Sequence, residues 1–152
     1  MEFRSAVDAD VSAIRAVARR AYIKYVPRIG RVPAPMAADF LSYVQTGQVD
    51  VAELGGQVVG YLIAYPRDNN YFVENIAVDP AGIGKGIGKA LMILAEDRAH
   101  EAGQTKIVLY TNARMYENFP FYGALGYRTT GLVVEAGFRR VYFEKDLSAD
   151  ER

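Results

Sequence analysis

The sequence of 152 residues contains no cysteine and only one histidine, His100. Without cysteine the chain can form no disulfide, no thiolate metal site and no thioester intermediate of its own. A single histidine cannot build a histidine-rich metal site, so we expect metal-free chemistry. Eighteen basic residues cancel eighteen acidic ones, and this balance gives no indication of a nucleic-acid partner or an anionic membrane.

Long hydrophobic runs are also missing. No stretch approaches the roughly 20 apolar residues that span a bilayer. The N-terminal Met-Glu-Phe-Arg lacks the apolar run of a secretion signal, so we expect a cytoplasmic protein with no membrane partner. The length suits one domain with a real core. We expect that domain over residues 1–147 and a loose tail over residues 148–152.

The most informative segment of the chain is Asn75–Leu91. An apolar strand there runs into four alternating glycines and two lysines, and then into an amphipathic helix. The N–H groups at a helix start lack intrahelical partners and carry partial positive charge, and glycine lets an anion approach them closely. The segment predicts a phosphate-binding loop at the end of a strand. The alternative is a flexible turn that only joins strand to helix.

Two common phosphate-binding motifs do not fit this segment. The nucleotide-binding loop needs glycine, four residues and then Gly-Lys-Ser/Thr, but its first glycine would fall on Ile83 or Asp79. The dinucleotide fingerprint needs glycines at relative positions 0, 2 and 5, and its last glycine would fall on Ile87, Lys89 or Leu91. These mismatches argue against a nucleotide-binding protein.

Hydrophobic periodicity predicts both strands and helices along the chain. Asp8 is the expected N-cap of the first helix, Pro27 its end, and Gly55-Gly56 a hairpin turn. These elements predict a mixed α/β domain with a single central sheet: an antiparallel meander, a right-handed strand–helix–strand unit and a final hairpin. We expect strands at 2–6, 49–54, 57–65, 71–78, 105–111, 127–134 and 138–145, a turn at 66–70, and further helices at 35–46, 86–102 and 119–125.

A second distinctive segment, Leu109–Tyr127, contains the run Glu-Asn-Phe-Pro-Phe-Tyr-Gly-Ala-Leu-Gly-Tyr that begins at Glu117. Together with the glycine-rich loop, it makes the chain resemble the GNAT superfamily of acetyl-CoA-dependent N-acetyltransferases, over nearly its whole length. The resemblance implies one central mixed sheet flanked by helices. The sheet would be mostly antiparallel with one splayed parallel pair, here strands 71–78 and 105–111.

The resemblance also implies acetyl-CoA as co-substrate. The family's loop reads Gln or Arg, two residues, Gly, one residue, then Gly or Ala; Gly86 and Gly88 match it and Ile83 departs from it. Asn118 aligns with a family asparagine that contacts coenzyme A, although a helix N-cap is an alternative role. The strand edge at Ile76, Ala77 and Val78 would pair with the pantetheine arm, and the pyrophosphate would bind at Gly84, Lys85, Gly86, Ile87, Gly88 and Lys89.

Two residues are candidates for catalysis. Tyr122 aligns with the family's tyrosine that protonates the leaving sulfur; its alternative role is packing in an aromatic core. Glu74 shares a strand face with Phe72, and a carboxylate among apolar neighbours suits a general base. An ion pair with a nearby Arg or Lys is the alternative for Glu74, and Tyr110 and Glu53 are weaker candidates for the base.

By resemblance, the acceptor is a small-molecule or peptide primary amine that attacks acetyl-CoA directly in a ternary complex. The loop that carries Arg28 and Arg31 would help to form its site, although both could be solvated charges. A non-catalytic acyl-CoA-binding sensor or interaction module is the alternative function. A homodimer is a further expectation, and its contact candidates are the ends of the splayed strands and Tyr61, Tyr65, Tyr71 and Tyr142.

Overall fold

The computed structural model describes residues 1–148, and the predicted tail beyond Ser148 lies outside them. Its strands are β1 (Glu2–Ser5), β2 (Val49–Leu54), β3 (Gln57–Arg67), β4 (Asn70–Val78), β5 (Lys106–Asn112), β6 (Arg128–Glu135) and β7 (Phe138–Asp146). Within the described residues these seven strands form one mixed sheet in the order β1-β2-β3-β4-β5-β7-β6. Only β4 and β5 are parallel, as predicted.

The helices are α1 (Val11–Tyr22), α2 (Val26–Ile29), α3 (Phe40–Gln45), α4 (Ile87–Glu101) and α5 (Asn118–Ala124). Within residues 1–148, no helix has the length and apolar character needed to cross a membrane. The parallel strands pair over Tyr71–Val73 and Ile107–Leu109. Each strand continues beyond the last pair, β4 to Val78 and β5 to Asn112.

The first helical stretch differs from the prediction at both ends. A 3-10 turn at Asp8–Asp10 precedes α1, whose N-cap is Asp10 and not Asp8. The Asp10 carboxylate accepts the N–H of Val7 at 2.8 Å and the guanidinium of Arg4. Pro27 does not end the helix, because it lies in the first turn of α2, where a missing N–H costs no hydrogen bond.

Two further boundaries are corrected. The predicted helix 35–46 is broken: a 3-10 turn at Ala34–Ala37 is followed by α3, whose N-cap Asp39 accepts the N–H of Ser42 at 3.2 Å. Pro66 lies within β3, and the turn that follows is formed by Asp68 and Asn69, with φ of 52° and 64°. Asp and Asn tolerate this left-handed conformation better than most residues.

Contacts group the chain into two compact units. The first comprises Met1–Ala64 and Asn75–Ile93, and the second comprises Tyr65–Glu74 and the chain from Leu94 onward. Tyr61 is fully buried in the first unit, and Tyr71 is only 7% exposed. The prediction that these two tyrosines contribute to a dimer surface is therefore wrong, because both belong to the core.

Candidate active site

The glycine-rich loop connects β4 to α4 in the first unit. After Val78 the chain makes a 3-10 turn at Pro80–Gly82 and then a turn that reaches α4 at Ile87. Gly84 and Gly86 have φ of 87° and 75°, a left-handed conformation that is costly for residues with a Cβ atom. These glycines are required by the backbone path of the loop.

The loop backbone faces solvent, whereas the helix behind it is anchored in the core. Gly84, Lys85, Gly86 and Lys89 are exposed, but the side chain of Ile87 is only 2% exposed. The first N–H groups of the 15-residue helix α4 have no intrahelical partners and carry partial positive charge. This end of α4 can therefore bind an anionic group through its backbone.

Asp79 lies at the start of the loop and connects it to α1. Its carboxylate accepts the N–H of Ala81 at 3.0 Å and the Nε–H of Arg20, from α1, at 2.8 Å. Burial raises the pKa of Asp79, but the bonds from Ala81 and Arg20 outweigh it, and the net pKa lies below its usual range. Sequence reasoning missed this ion pair, since the two residues are far apart along the chain.

The end of β4 presents alternating burial. Asn75 and Ala77 are buried, whereas Ile76 and Val78 are partly exposed. The carbonyl of Ile76 accepts a hydrogen bond from the hydroxyl of Tyr22, in α1, at 2.7 Å. The strand edge singled out by the sequence is thus partly exposed and linked to α1.

Tyr122 lies in α5, in the second unit, and is 6% exposed. Its ring packs against those of Phe121, Phe143 and Tyr127, with centroid separations of 5.1, 5.4 and 6.1 Å. Burial raises the pKa of the Tyr122 hydroxyl, which therefore keeps its proton at neutral pH. The ring has the packing role that the sequence left open, and the hydroxyl retains a proton that it can donate in a hydrogen bond.

Glu74 lies in the second unit, partly exposed on β4. Its carboxylate accepts the hydroxyl of Tyr65 at 3.3 Å. Tyr110 is a poor alternative base, because burial and then the negative charge of Glu74 raise its pKa. Glu53 is also disfavoured, since its carboxylate is bound at 2.8 Å by the guanidinium of Arg4.

Asn118 is the first residue of α5, and the N-cap position is occupied by Glu117. The N-cap role considered for Asn118 is therefore wrong. Its amide nitrogen lies 3.3 Å from the hydroxyl oxygen of Thr111, to which it donates a hydrogen bond. This bond orients the side chain towards the end of β5.

A row of aromatic rings crosses the strands of the second unit. Phe72, Tyr110 and Tyr142 follow one another with centroid separations of 5.8 and 5.4 Å. Arg67 lies over Phe72 at 4.4 Å and Arg140 over Tyr110 at 4.3 Å, which are favourable cation–π distances. Sequence reasoning recognised Phe72, Tyr110 and Tyr142 only singly, because the row forms only when β4, β5 and β7 are neighbours in the sheet.

Arg28 and Arg31 follow α1 in the first unit, but the predicted loop is wrong at Arg28, which lies in the short helix α2. The guanidinium of Arg28 lies over the ring of the buried Tyr25 at 5.1 Å, and the ammonium of Lys24 lies 5.0 Å from the same ring. Arg31 is exposed. The guanidinium of Arg28 therefore packs on an aromatic ring of the first unit.

Comparison with known proteins identifies the family of this chain. The model of the acetyltransferase (GNAT) family matches residues 15–127. N-acetyltransferase family 8 member 2 of Rattus norvegicus is 33% identical over 91 residues, which is 56% of this chain and 40% of that protein. The chain thus spans less than half the length of this relative.

Solved structures share the fold. PaiA N-acetyltransferase from Thermoplasma acidophilum, in complex with coenzyme A, superposes with a TM-score of 0.79 at 19% identity, over 95% of this chain and 98% of that one. The ribosomal-protein-S18-alanine N-acetyltransferase of Escherichia coli gives a TM-score of 0.75 at 18% identity, with coverages of 96% and 93%. Since the family model also covers most of the chain, the protein belongs to the acetyltransferase (GNAT) family.

Proposed function

We propose that this protein transfers the acetyl group of acetyl-CoA to a primary amine by direct attack in a ternary complex. The observation that carries the proposal is the exposed loop before α4, whose two left-handed glycines turn its backbone to solvent. Family membership and the coenzyme A bound to the similar PaiA structure support it.

The proposed coenzyme A site uses mainly backbone groups. The N–H groups of Gly84–Lys89 would bind the pyrophosphate, and the exposed Lys85 and Lys89 would add positive charge. The partly exposed edge at Ile76–Val78 would pair with the pantetheine arm. Asn118 would contact the cofactor through its amide oxygen or its second N–H, since one N–H already donates to Thr111. Because backbone N–H groups bind the phosphates, the absence of the family's Gln or Arg at Ile83 should have little effect on coenzyme A binding.

Tyr122 is the proposed hydrogen-bond donor to the leaving sulfur, which departs as a thiolate and takes up its proton from water. Its pKa is raised by burial and so lies above that of a thiol, which is about 8.5. Complete proton transfer to the thiolate would therefore be uphill. The hydroxyl would act by donating a hydrogen bond to the sulfur as the carbon–sulfur bond breaks, which stabilises the developing charge.

Glu74 is the proposed base. A free alkylamine has a pKa of about 10.4 and arrives mostly as an ammonium ion, which a carboxylate attracts. It attacks only as the neutral amine, after one proton has passed to water. Once the nitrogen has attacked the thioester carbonyl, its N–H becomes far more acidic, so a carboxylate is a sufficient base. The Tyr65 hydroxyl, which donates to Glu74, would hold the carboxylate in place.

Thiol release from acetyl-CoA tests the proposal. The acceptor probes are spermidine, L-lysine, kanamycin and a peptide with an N-terminal alanine, and free coenzyme A is measured with a disulfide reagent. Because the chain has no cysteine, the protein adds no thiol background. We expect amine-dependent thiol release and an acetylated amine by mass spectrometry. Coenzyme A binding without thiol release for any probe would favour the non-catalytic sensor instead.

A further inference from the structure

Asn75 is a buried amide in β4, with 4% of its surface exposed. Its oxygen accepts the hydroxyl of Tyr61 at 2.8 Å and lies 3.3 Å from the hydroxyl of Tyr22. Its nitrogen donates to the carbonyl of Pro35 at 3.0 Å. An amide buried in a strand without such partners would be strongly destabilising. The site therefore uses the donor and the acceptor of Asn75 together.

The Pro35 bond reaches a segment that has little other regular structure. The 3-10 turn Ala34–Ala37 lies between α2 and α3, and two prolines deprive this region of backbone donors. Within this region the N–H of Met36 donates to the carbonyl of Pro33 at 3.0 Å. The donor of Asn75 thus supplies a long-range link from the strand to this turn.

The opposite side of Asn75 is buried and tightly bonded. Tyr61 is fully buried, and its ring packs edge-on against Phe40, the first residue of α3, at 5.6 Å. Tyr22 donates to the carbonyl of Ile76, the residue after Asn75, at 2.7 Å. One amide therefore joins the turn at Ala34–Ala37 to the strand edge that begins at Ile76, and all these groups belong to the first unit.

We propose that Asn75 is a positioning residue that sets the Ala34–Ala37 turn relative to the Ile76–Val78 edge. This inference rests on the proposed function, in which that edge binds the pantetheine arm and the segment between α1 and α3 contributes to the acceptor site. The link makes acceptor placement depend on the strand that presents the thioester.

The chemistry requires an amide at this position. Aspartate has nearly the same shape and can still accept from Tyr61, but it places a carboxylate oxygen against the carbonyl of Pro35. Leucine has similar volume and can make neither bond. Both Asn75→Asp and Asn75→Leu should release the turn, whereas Tyr61→Phe keeps the amide and removes one of its donors.

Hydrogen exchange of the Ala34–Ala37 peptide tests the link without relying on catalysis. In wild type we expect coenzyme A, used as the probe, to slow exchange in this peptide, because it stiffens β4. In Asn75→Leu we expect faster exchange, by about tenfold, and no response to coenzyme A. Tyr127→Phe is the matched control, because it removes another buried tyrosine bond, to Glu96 at 3.0 Å, in the second unit.

Kinetics then separate positioning from a purely structural role. For whichever of the four amine probes wild type acetylates, Asn75→Asp should raise the KM for the amine by about tenfold and leave coenzyme A affinity unchanged. Tyr127→Phe should change neither quantity. If Asn75→Leu does not fold, Asn75→Asp takes its place in the exchange experiment, with an effect in the same direction.

Three results would overturn the inference: unchanged exchange at Ala34–Ala37 in the Asn75 variants, an equal change in Tyr127→Phe, or faster exchange with an unaltered KM for the amine. The proposed function fails on a different result. If wild type bound no coenzyme A in calorimetry, the function would be wrong, yet faster exchange in Asn75→Leu would still report the link itself.

Discussion

Alanine at Gly86 is the sharpest perturbation of the proposed cofactor site. Gly86 has φ of 75°, and a Cβ atom added there would meet nothing within 4 Å. The substitution therefore introduces no clash, and its whole effect is conformational. Gly86 also accepts the N–H of Ala90 at 3.0 Å, so its backbone sets the direction in which α4 begins.

The magnitude follows from the cost of the left-handed conformation. In this conformation a residue with a Cβ atom is about 1–2 kcal/mol less stable than glycine. The turn is exposed and its internal bonds are long, with the N–H groups of Ile83 and Lys85 each donating at 3.3 Å. We therefore expect the free loop of Gly86→Ala to relax to another backbone conformation. Binding of coenzyme A would then have to restore the left-handed conformation, which weakens the affinity. The Kd for coenzyme A should rise between about 5-fold and 30-fold.

Gly103→Ala is the matched control. Gly103 follows the end of α4, has φ of 73° and likewise has open space around its Cβ position. Because its backbone bonds close the helix end, its strain should lower the free energy of unfolding by about 1–2 kcal/mol and leave the Kd for coenzyme A unchanged. Calorimetry and denaturant unfolding measure both quantities. Unchanged affinity in Gly86→Ala, or an equal loss in both variants, would refute the reasoning.

Three further predictions concern the chemistry and the loop entrance. Tyr122→Phe should lower kcat by about 100-fold or more without changing the Kd for coenzyme A; full turnover by steady-state kinetics would remove the tyrosine from the mechanism. Glu74→Gln should lower kcat/KM by a similar factor, whereas Glu135→Gln, which alters the neighbouring carboxylate bonded to Tyr142, should retain turnover; equal losses would argue against a specific base. Arg20→Gln should lower the free energy of unfolding at pH 7, because the Asp79 pKa is held below its usual range. That contribution is complete above the unfolded pKa of about 4 and is lost as the pH falls through the folded value, so urea titrations of wild type and Arg20→Gln should converge at low pH. A difference that does not depend on pH would contradict this origin.

The parts of the fold that the sequence predicted best depend on local backbone chemistry. Gly55 and Gly56 predict a two-residue hairpin because both central positions need left-handed residues, and their φ values are 59° and 79°. The helix predicted at 86–102 is present as α4, Ile87–Glu101, and ends before Gly103. At these places one or two residues determine the structure.

The errors arise where one residue type supports two structures. Proline ends some helices and begins others, so Pro27 alone could not indicate that a second helical turn follows. Asp8 and Asp10 are both good N-caps by type, and the choice depends on Arg4, which binds Asp10 from β1. The sequence alone predicts Tyr61 at a dimer surface, because the local sequence pattern does not indicate its buried hydrogen-bond partner, Asn75.

The candidate site divides in the same way. The glycine-rich loop was recognisable because its chemistry is contiguous in sequence. The pairs Arg20–Asp79 and Asn75–Pro35 were not, since 59 and 40 positions separate their members. The one available signal was the polar Asn75 directly before the apolar run Ile76-Ala-Val, where a buried amide needs partners.

The central claim is that the backbone N–H groups of Gly84–Lys89 bind the pyrophosphate of coenzyme A. Nitrogen–proton correlation spectra of the labelled protein, recorded during titration with coenzyme A, observe these groups directly. We predict that the amide resonances of Gly84–Lys89 show the largest shifts and saturate together with the calorimetric binding curve. Saturation with coenzyme A that leaves these resonances unmoved would contradict the account.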